Sequence, residues 1–371
     1  MGTLCEYELG SPIIAISASK DGRQVAALTD ANGLAVYNVS PNGTVRLASA
    51  SDLRSILPSP IRQERDLAFH PSSNGIVIIG ETTLTEGVYV RSALAVLVLS
   101  QYGQVLDRYI TIEAEPPYSS PVVTDTNPPM LLVGTASGVL YIDLESGQER
   151  GRIDNDEEYV APRGVVPRHR DGGQVFVIWT YQSGSRISSY QRQDDSSFSA
   201  LHEGDQLLPF YVWGAALNQD DSMLAIMLGN ISVPVVEVDN KISTVSLGQI
   251  RLYDPDSHTL LSQYDVSGQA GSDVLLQQVD SLRPNASGGE WVPSRSLVPK
   301  HHLSNPVFVG RDHVVFGTPG GTVRVLNVHT GDHWEIAITS SPITSLASCL
   351  DSTLLCIGSV GGAICFHSID S

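Results

Sequence analysis

VFGTPGGTVRVLNVHTGDHWEIAITSSPITSLASCLDSTLLCIGSVGGAICFHSIDS, residues 315–371, is the stretch whose reading decides the fold. It consists of short apolar runs separated by residues that favour turns. Residues 313–319, 321–328 and 333–339 read as the second, third and fourth strands of one sheet, and 342–348, 353–359 and 363–369 begin another. That second set has no fourth strand. At the other end of the chain, residues 3–9 (TLCEYEL) alternate as a strand does and run directly into a first repeat, so they are the expected fourth member. A chain joined end to end in this way is a ring.

Further units of the same kind are expected at 13–50, 66–112, 121–154, 164–203 and 212–266, and one more, completed by the quoted stretch, begins at 305. Their third strands give an internal check. GLAVYNV, LAVLVL, GVLYIDL, RISSYQR, GQIRLYDP, GTVRVLNV and GAICFHSI superpose with Tyr37, Leu97, Ile142, Tyr190, Tyr253, Leu326 and Phe366 in register. Gly33, Gly138, Gly248, Gly321 and Gly362 stand where a tight turn into the strand calls for positive φ. Units of about fifty residues are the period of a propeller. The expected fold is all-β: a seven-bladed β-propeller of four-stranded antiparallel blades, residues 1–371 as a single domain, the last blade closed by the N-terminal strand.

On these third strands the chain resembles the WD-repeat and related quinoprotein-like β-propeller superfamily. Tyr37-Asn38, Ile142-Asp143 and Tyr253-Asp254 stand in the place of that family's Trp-Asp pair, although no unit has a true Trp-Asp pair or the family's Gly-His start. Gly147-Gln148-Glu149 and Gly331-Asp332-His333-Trp334 are similar to the Gly-containing turns of quinoprotein-type blades. Two such turns do not imply the cofactor. What the resemblance implies is the fold and a scaffold that binds other molecules.

Charge narrows the partners. With 22 Lys and Arg against 40 Asp and Glu the formal net charge is −18, which opposes a large phosphate-binding surface. Nucleic acid and anionic membrane are therefore not expected as direct partners. No apolar run is long enough to span a bilayer, and no basic segment followed by an apolar one marks a secretion signal. The expected location is cytoplasmic or otherwise intracellular. Cys5, Cys349, Cys356 and Cys365 all fall in the closing sheet and include no CxxC pair, so they read as small buried apolar residues rather than a disulfide or zinc site.

The insertions are one-sided. Links from first to second and from third to fourth strand are short, whereas 51–65, 83–92, 113–120, 155–163, 231–248 and 267–304 lie between units or between second and third strands. In antiparallel blades both of these longer kinds of link emerge on one face. Segment 51–65 includes an expected short helical turn with Leu53, Ile56 and Leu57 on one side.

Loops on a rigid scaffold are where binding concentrates. The expected partner contacts are Arg54, Arg62 and Arg65 in the first insertion and Trp291, Arg295, His301 and His302 in the longest. Adjacent histidines on an extended chain point opposite ways, so His301 and His302 are not read as metal ligands. No nucleophile elbow, phosphate-cradling Gly-Lys-Ser/Thr or His-Glu-x-x-His occurs. No catalytic, metal or cofactor residue is assigned. The leading expectation is a protein-protein interaction scaffold, the subunit of a larger complex, presenting its decorated face to a protein or peptide. The alternative is a propeller enzyme, a hydrolase, lactonase or quinone-dependent dehydrogenase using the axial channel.

Overall fold

The computed structural model describes residues 2–57, 61, 66–71, 75–86, 89–114, 117–154, 161–168, 173–181, 184–193, 197–203, 211–232, 243–265, 273–276, 305–318, 321–349 and 353–369. Its strands form seven antiparallel sheets, six of four strands and one of five. Six sheets follow chain order from the axis outward. The last is ordered Gly2–Glu8, Ala363–Ser368, Leu354–Ser359, Ile343–Cys349, so the first strand of the chain is the outer strand of the last blade. Gly2 lies opposite Ser368 and Glu8 opposite Ala363, and Leu9 N–H donates to the Gly362 carbonyl at 3.0 Å.

In most blades the second and third strands are buried on both faces over their central residues, which is why they are continuous apolar runs there and not alternating ones. Val25 to Leu28 and Ile76 to Ile79 have no exposed surface. Neighbouring blades share the resulting cores: Ile13, Val25 and Tyr37 of blade 1 pack on Cys349, Cys356 and Phe366 of blade 7. Val77 and Val96 of blade 2 pack likewise on Leu131 and Ile142 of blade 3.

Two repeated details let the blades approach. Gly134 and Gly358 end their second strands where the next blade's inner strand passes; an added Cβ would lie 2.7 Å from the Pro162 carbonyl in one case and 2.7 Å from Ile13 Cγ2 in the other. A buried hydroxyl stands at or beside the end of the second strand in five blades, at Thr29, Thr135, Thr180, Thr318 and Ser359. These hydroxyls tie the turn into the third strand, as when Thr29 Oγ1 accepts Gly33 N–H at 2.9 Å and Ser359 Oγ donates to the Ala363 carbonyl at 3.4 Å.

The expected third-strand register holds in five blades. Tyr37, Ile142, Tyr190, Tyr253 and Leu326 lie opposite Val25, Leu131, Val175, Leu224 and Val314. In blade 2 the matching residue is Leu99 opposite Ile76, not Leu97, and in blade 7 it is His367 opposite Leu355, not Phe366. Runs buried on both faces carry no in-and-out pattern to mark such slips.

Of the five glycines expected at positive φ, Gly138, Gly321 and Gly362 have it. In blade 1 it is Asn32 that turns left-handed, with φ 68°. In blade 5 Gly248 lies inside the strand Ser243–Tyr253, as the extra residue of a bulge opposite Leu228 and Gly229.

The links also differ from expectation. Residues 83–92 are not a loose link: Ile76–Glu86 and Tyr89–Leu99 pair without interruption from Ile76 and Leu99 to Glu86 and Tyr89. Segment 231–248 likewise begins and ends as strand, Ser232 pairing with Thr244, and Asp273–Leu276 within 267–304 adds a strand to the same blade. The turn expected in 51–65 is a 3-10 turn, Leu53–Ser55, with Leu53 buried and Ile56 and Leu57 packed beside it.

Candidate functional site

The two faces of the ring are built differently. Fully described links from first to second strand include the tight turns Ser19 to Gln24 and Asn218 to Met223, closed by backbone bonds of 2.9 and 3.0 Å. Third-to-fourth links in blades 3, 5 and 6 share one design, in which Asp143, Asp254 and Asn327 each accept two backbone N–H groups of their own turn. Gly147, His258 and Gly331 close these turns at φ 75°, 55° and 77°. The opposite face carries the extended hairpins. At about 3.3 Å per residue, the blade 2 hairpin rises on the order of 15 Å beyond the strands that flank it. The blade 5 hairpin rises from the far side of the ring.

Between these ribbons lies the mouth of the axis. Asn305 and Ser120 precede the inner strands of blades 6 and 3, three places apart round the ring, yet Asn305 Nδ2 donates to Ser120 Oγ at 2.9 Å. The bond therefore crosses the mouth. It passes beside Gly214 of blade 5, where a Cβ would lie 2.4 Å from Asn305 Oδ1. Next to it the Arg163 guanidinium stands 5.0 Å from the centroid of the Tyr118 ring. Arg163 is exposed because it is the extra residue of a bulge between Pro162 and Gly164. A sequence signal for this cluster exists: a polar residue before Pro recurs ahead of the inner strands at Ser11-Pro12, Ser120-Pro121, Asn305-Pro306 and Ser341-Pro342.

Of the partner contacts expected from sequence, only Arg54 falls among the described residues. Its side chain is 67% exposed, and its guanidinium grips both carboxylate oxygens of Asp52, Nη2 to Oδ2 at 2.7 Å and Nε to Oδ1 at 2.9 Å. Asp52 also accepts Arg54 N–H at 3.0 Å, so the pair caps the 3-10 turn. Arg62, Arg65, Trp291, Arg295, His301 and His302 lie outside the described residues.

The plain face holds a charge network that joins blades. Arg168 of blade 4 reaches Asp256 at 2.6 Å and Asp221 at 3.9 Å, both in turns of blade 5. Arg311 of blade 6 stands 3.8 Å from Asp220, and Lys20 of blade 1 is bonded to Asp125 of blade 3. Burial works against the charge on Asp143, but the Ser146 N–H, the Arg150 guanidinium and the Glu145 N–H hold its carboxyl well below the usual carboxylate range. His258 is pushed down to about 4 by burial and by His202, whose ring meets it at 4.3 Å.

The four cysteines are free. Burial pushes the Cys349 and Cys365 thiols up to about 12, which leaves them protonated and unreactive near neutrality. Among the described residues no three His, Cys, Asp or Glu side chains converge to hold a metal ion, and no helix is long and apolar enough to cross a membrane.

Ring closure through Gly2–Glu8, a four-stranded antiparallel path in every blade and cores shared between neighbours define the chain as a seven-bladed β-propeller. No protein-family model matches it, and no curated protein is significantly similar to it in sequence.

Proposed function

We propose that this propeller is a protein-protein interaction scaffold whose decorated face holds a protein or peptide partner. The observation that supports this most is the one-sidedness of its extensions: both long ribbons, the capped turn at Asp52 and Arg54, and the Tyr118 and Arg163 pair stand on the face opposite the short, internally bonded turns. A rigid ring separates the two faces, so changes in the extensions leave the shared cores intact. With a net charge of −18, the chain favours a partner segment that is basic or neutral. The Asn305 to Ser120 bond across the mouth supports a partner resting on the rim, in preference to a small substrate deep in the channel.

Crosslinking coupled to mass spectrometry on the complex isolated from native cells tests this reading. Links are expected from residues 83–92, 113–120 and 243–248 to the partner. A crosslink map confined to the turns at Ser19 to Gln24, Asn218 to Met223 and Gly310 to Asp312 would overturn it.

A further inference from the structure

The two ribbons differ in one respect. In blade 5 the outer strand Leu260–Asp265 covers the third strand only as far as Gln249, and beyond it Asp273–Leu276 pairs antiparallel with Ser246 to Ser243. The chain thus supplies an extra strand for its own raised edge. In blade 2 the outer strand Leu106–Ile112 ends opposite Leu94. The third strand continues to Tyr89, paired only on its other side. From Tyr89 to Ala93 its outer edge has no partner strand among the described residues.

The chain's own continuation is unsuited to fill this edge. Residues 113–117 read Glu-Ala-Glu-Pro-Pro, and proline has no N–H to give a ladder. The backbone instead returns toward the axis, where Tyr118 N–H donates to the Gly134 carbonyl at 2.7 Å. Unpaired edges are templates for an added strand, with main-chain hydrogen bonds supplying the affinity. A second copy of this chain is a poor occupant. Antiparallel self-pairing about the middle of Tyr89 to Ala93 sets Arg91 against Arg91, and each body carries −18.

We infer that the outer edge of Tyr89 to Ala93 binds an extended, net basic segment of a partner protein, antiparallel to the third strand, in the place that Asp273–Leu276 holds on blade 5. This rests on the scaffold reading and specifies one contact within it. Glu113, 60% exposed and paired with Arg91 at 2.6 Å, marks the start of the docked segment and gives its first basic side chain a carboxylate to meet. Because affinity comes from the backbone, the docked sequence needs extended conformation and positive charge more than one particular set of side chains.

The test uses the full chain and a ten-residue acetylated peptide of alternating Thr and Val carrying three lysines, beside the same peptide methylated on alternate backbone nitrogens. Hydrogen exchange of the free chain is expected to be fast at the alternate amides of 89–93 that face the open outer edge and slow at 94–99. The plain peptide slows exchange at 89–93 and leaves 243–246 unchanged. The methylated peptide binds at least tenfold more weakly by fluorescence anisotropy. A variant with residues 84–91 replaced by Asn-Gly keeps its far-ultraviolet circular dichroism and loses peptide binding.

Equal binding of the two peptides, no slowing at 89–93, or undiminished binding by the trimmed variant would each overturn the inference. So would slow exchange at 89–93 in the free chain together with a dimeric mass by light scattering, since a second copy would then occupy the edge. The scaffold reading fails on a different result, retention of a native partner after the decorated face has been replaced.

Discussion

The Tyr7 hydroxyl donates to the Val45 carbonyl at 3.0 Å, so the strand that completes blade 7 is also fastened to the outer strand of blade 1. Tyr7 further meets Tyr37 at 4.9 Å and Phe366 at 6.4 Å, between the same two blades. Ring closure is therefore a three-way contact rather than a single ladder. Tyr7→Phe should cost about 1 kcal/mol, the worth of one hydrogen bond. Deleting residues 1–9 should lower the melting temperature by several degrees and cause aggregation through the exposed edge at Ala363–Ser368. Calorimetry and size-exclusion chromatography measure both; an unchanged melting curve for the deletion would contradict this account of closure.

Asp143 should govern part of the acid sensitivity. Its side chain is 3% exposed and accepts N–H groups of Glu145 and Ser146 at 2.8 and 3.0 Å while pairing with Arg150. Since its folded-state pKa is lowered, its contribution is complete above the unfolded value and is lost as pH falls through the folded one. Asp143→Ala should cost about 2 kcal/mol near neutrality. Denaturant titrations should show that deficit shrinking only below about pH 4, the ordinary carboxylate range.

His258 occupies the left-handed place that Gly147 and Gly331 hold in the matching turns, and its two ring nitrogens are buried without a hydrogen-bond partner. Its folded pKa is lowered to about 4, so the unfolded chain takes up the proton first and stability falls as pH drops from about 6.5 toward 4. His258→Gly removes that loss and the left-handed strain. The variant should gain on the parent progressively as the pH falls. Thermal melts across that range decide the matter, and a constant difference would refute it.

Gly134→Ala should destabilise through overpacking by about 1–3 kcal/mol, because the new Cβ would press on the Pro162 carbonyl at 2.7 Å. Gly310→Ala, with nothing within 4 Å of its Cβ, should show only the smaller cost of its left-handed φ of 62°. Chemical denaturation of the pair separates crowding between blades from backbone strain.

Closure by the N-terminal strand, the seven units and the face carrying the insertions were legible in the sequence because each leaves a local mark, such as strand alternation or turn residues at fixed spacing. The slip at Leu99 left none, since neighbouring residues are equally apolar, and in blade 7 a buried polar residue, His367, takes the place that the apolar Phe366 was expected to hold. The glycines at 134 and 358 looked like ordinary strand residues; what requires them is the next blade's inner strand, distant in sequence. Asn305 and Ser120, 185 residues apart, meet only because the ring closes. The bidentate hold of the Arg54 guanidinium on Asp52 left no sign in the sequence beyond the two residues' closeness.

The most direct test of the scaffold reading is quantitative affinity capture from native cell extract with three folded versions of the chain. One is intact; one has residues 84–91 replaced by Asn-Gly and 267–304 by a Gly-Ser linker; one carries Lys20→Ala and Arg311→Ala on the plain face. The account predicts a specific protein retained by the intact and plain-face versions and lost from the second. Retention by the second version, or loss from the plain-face version alone, would contradict it.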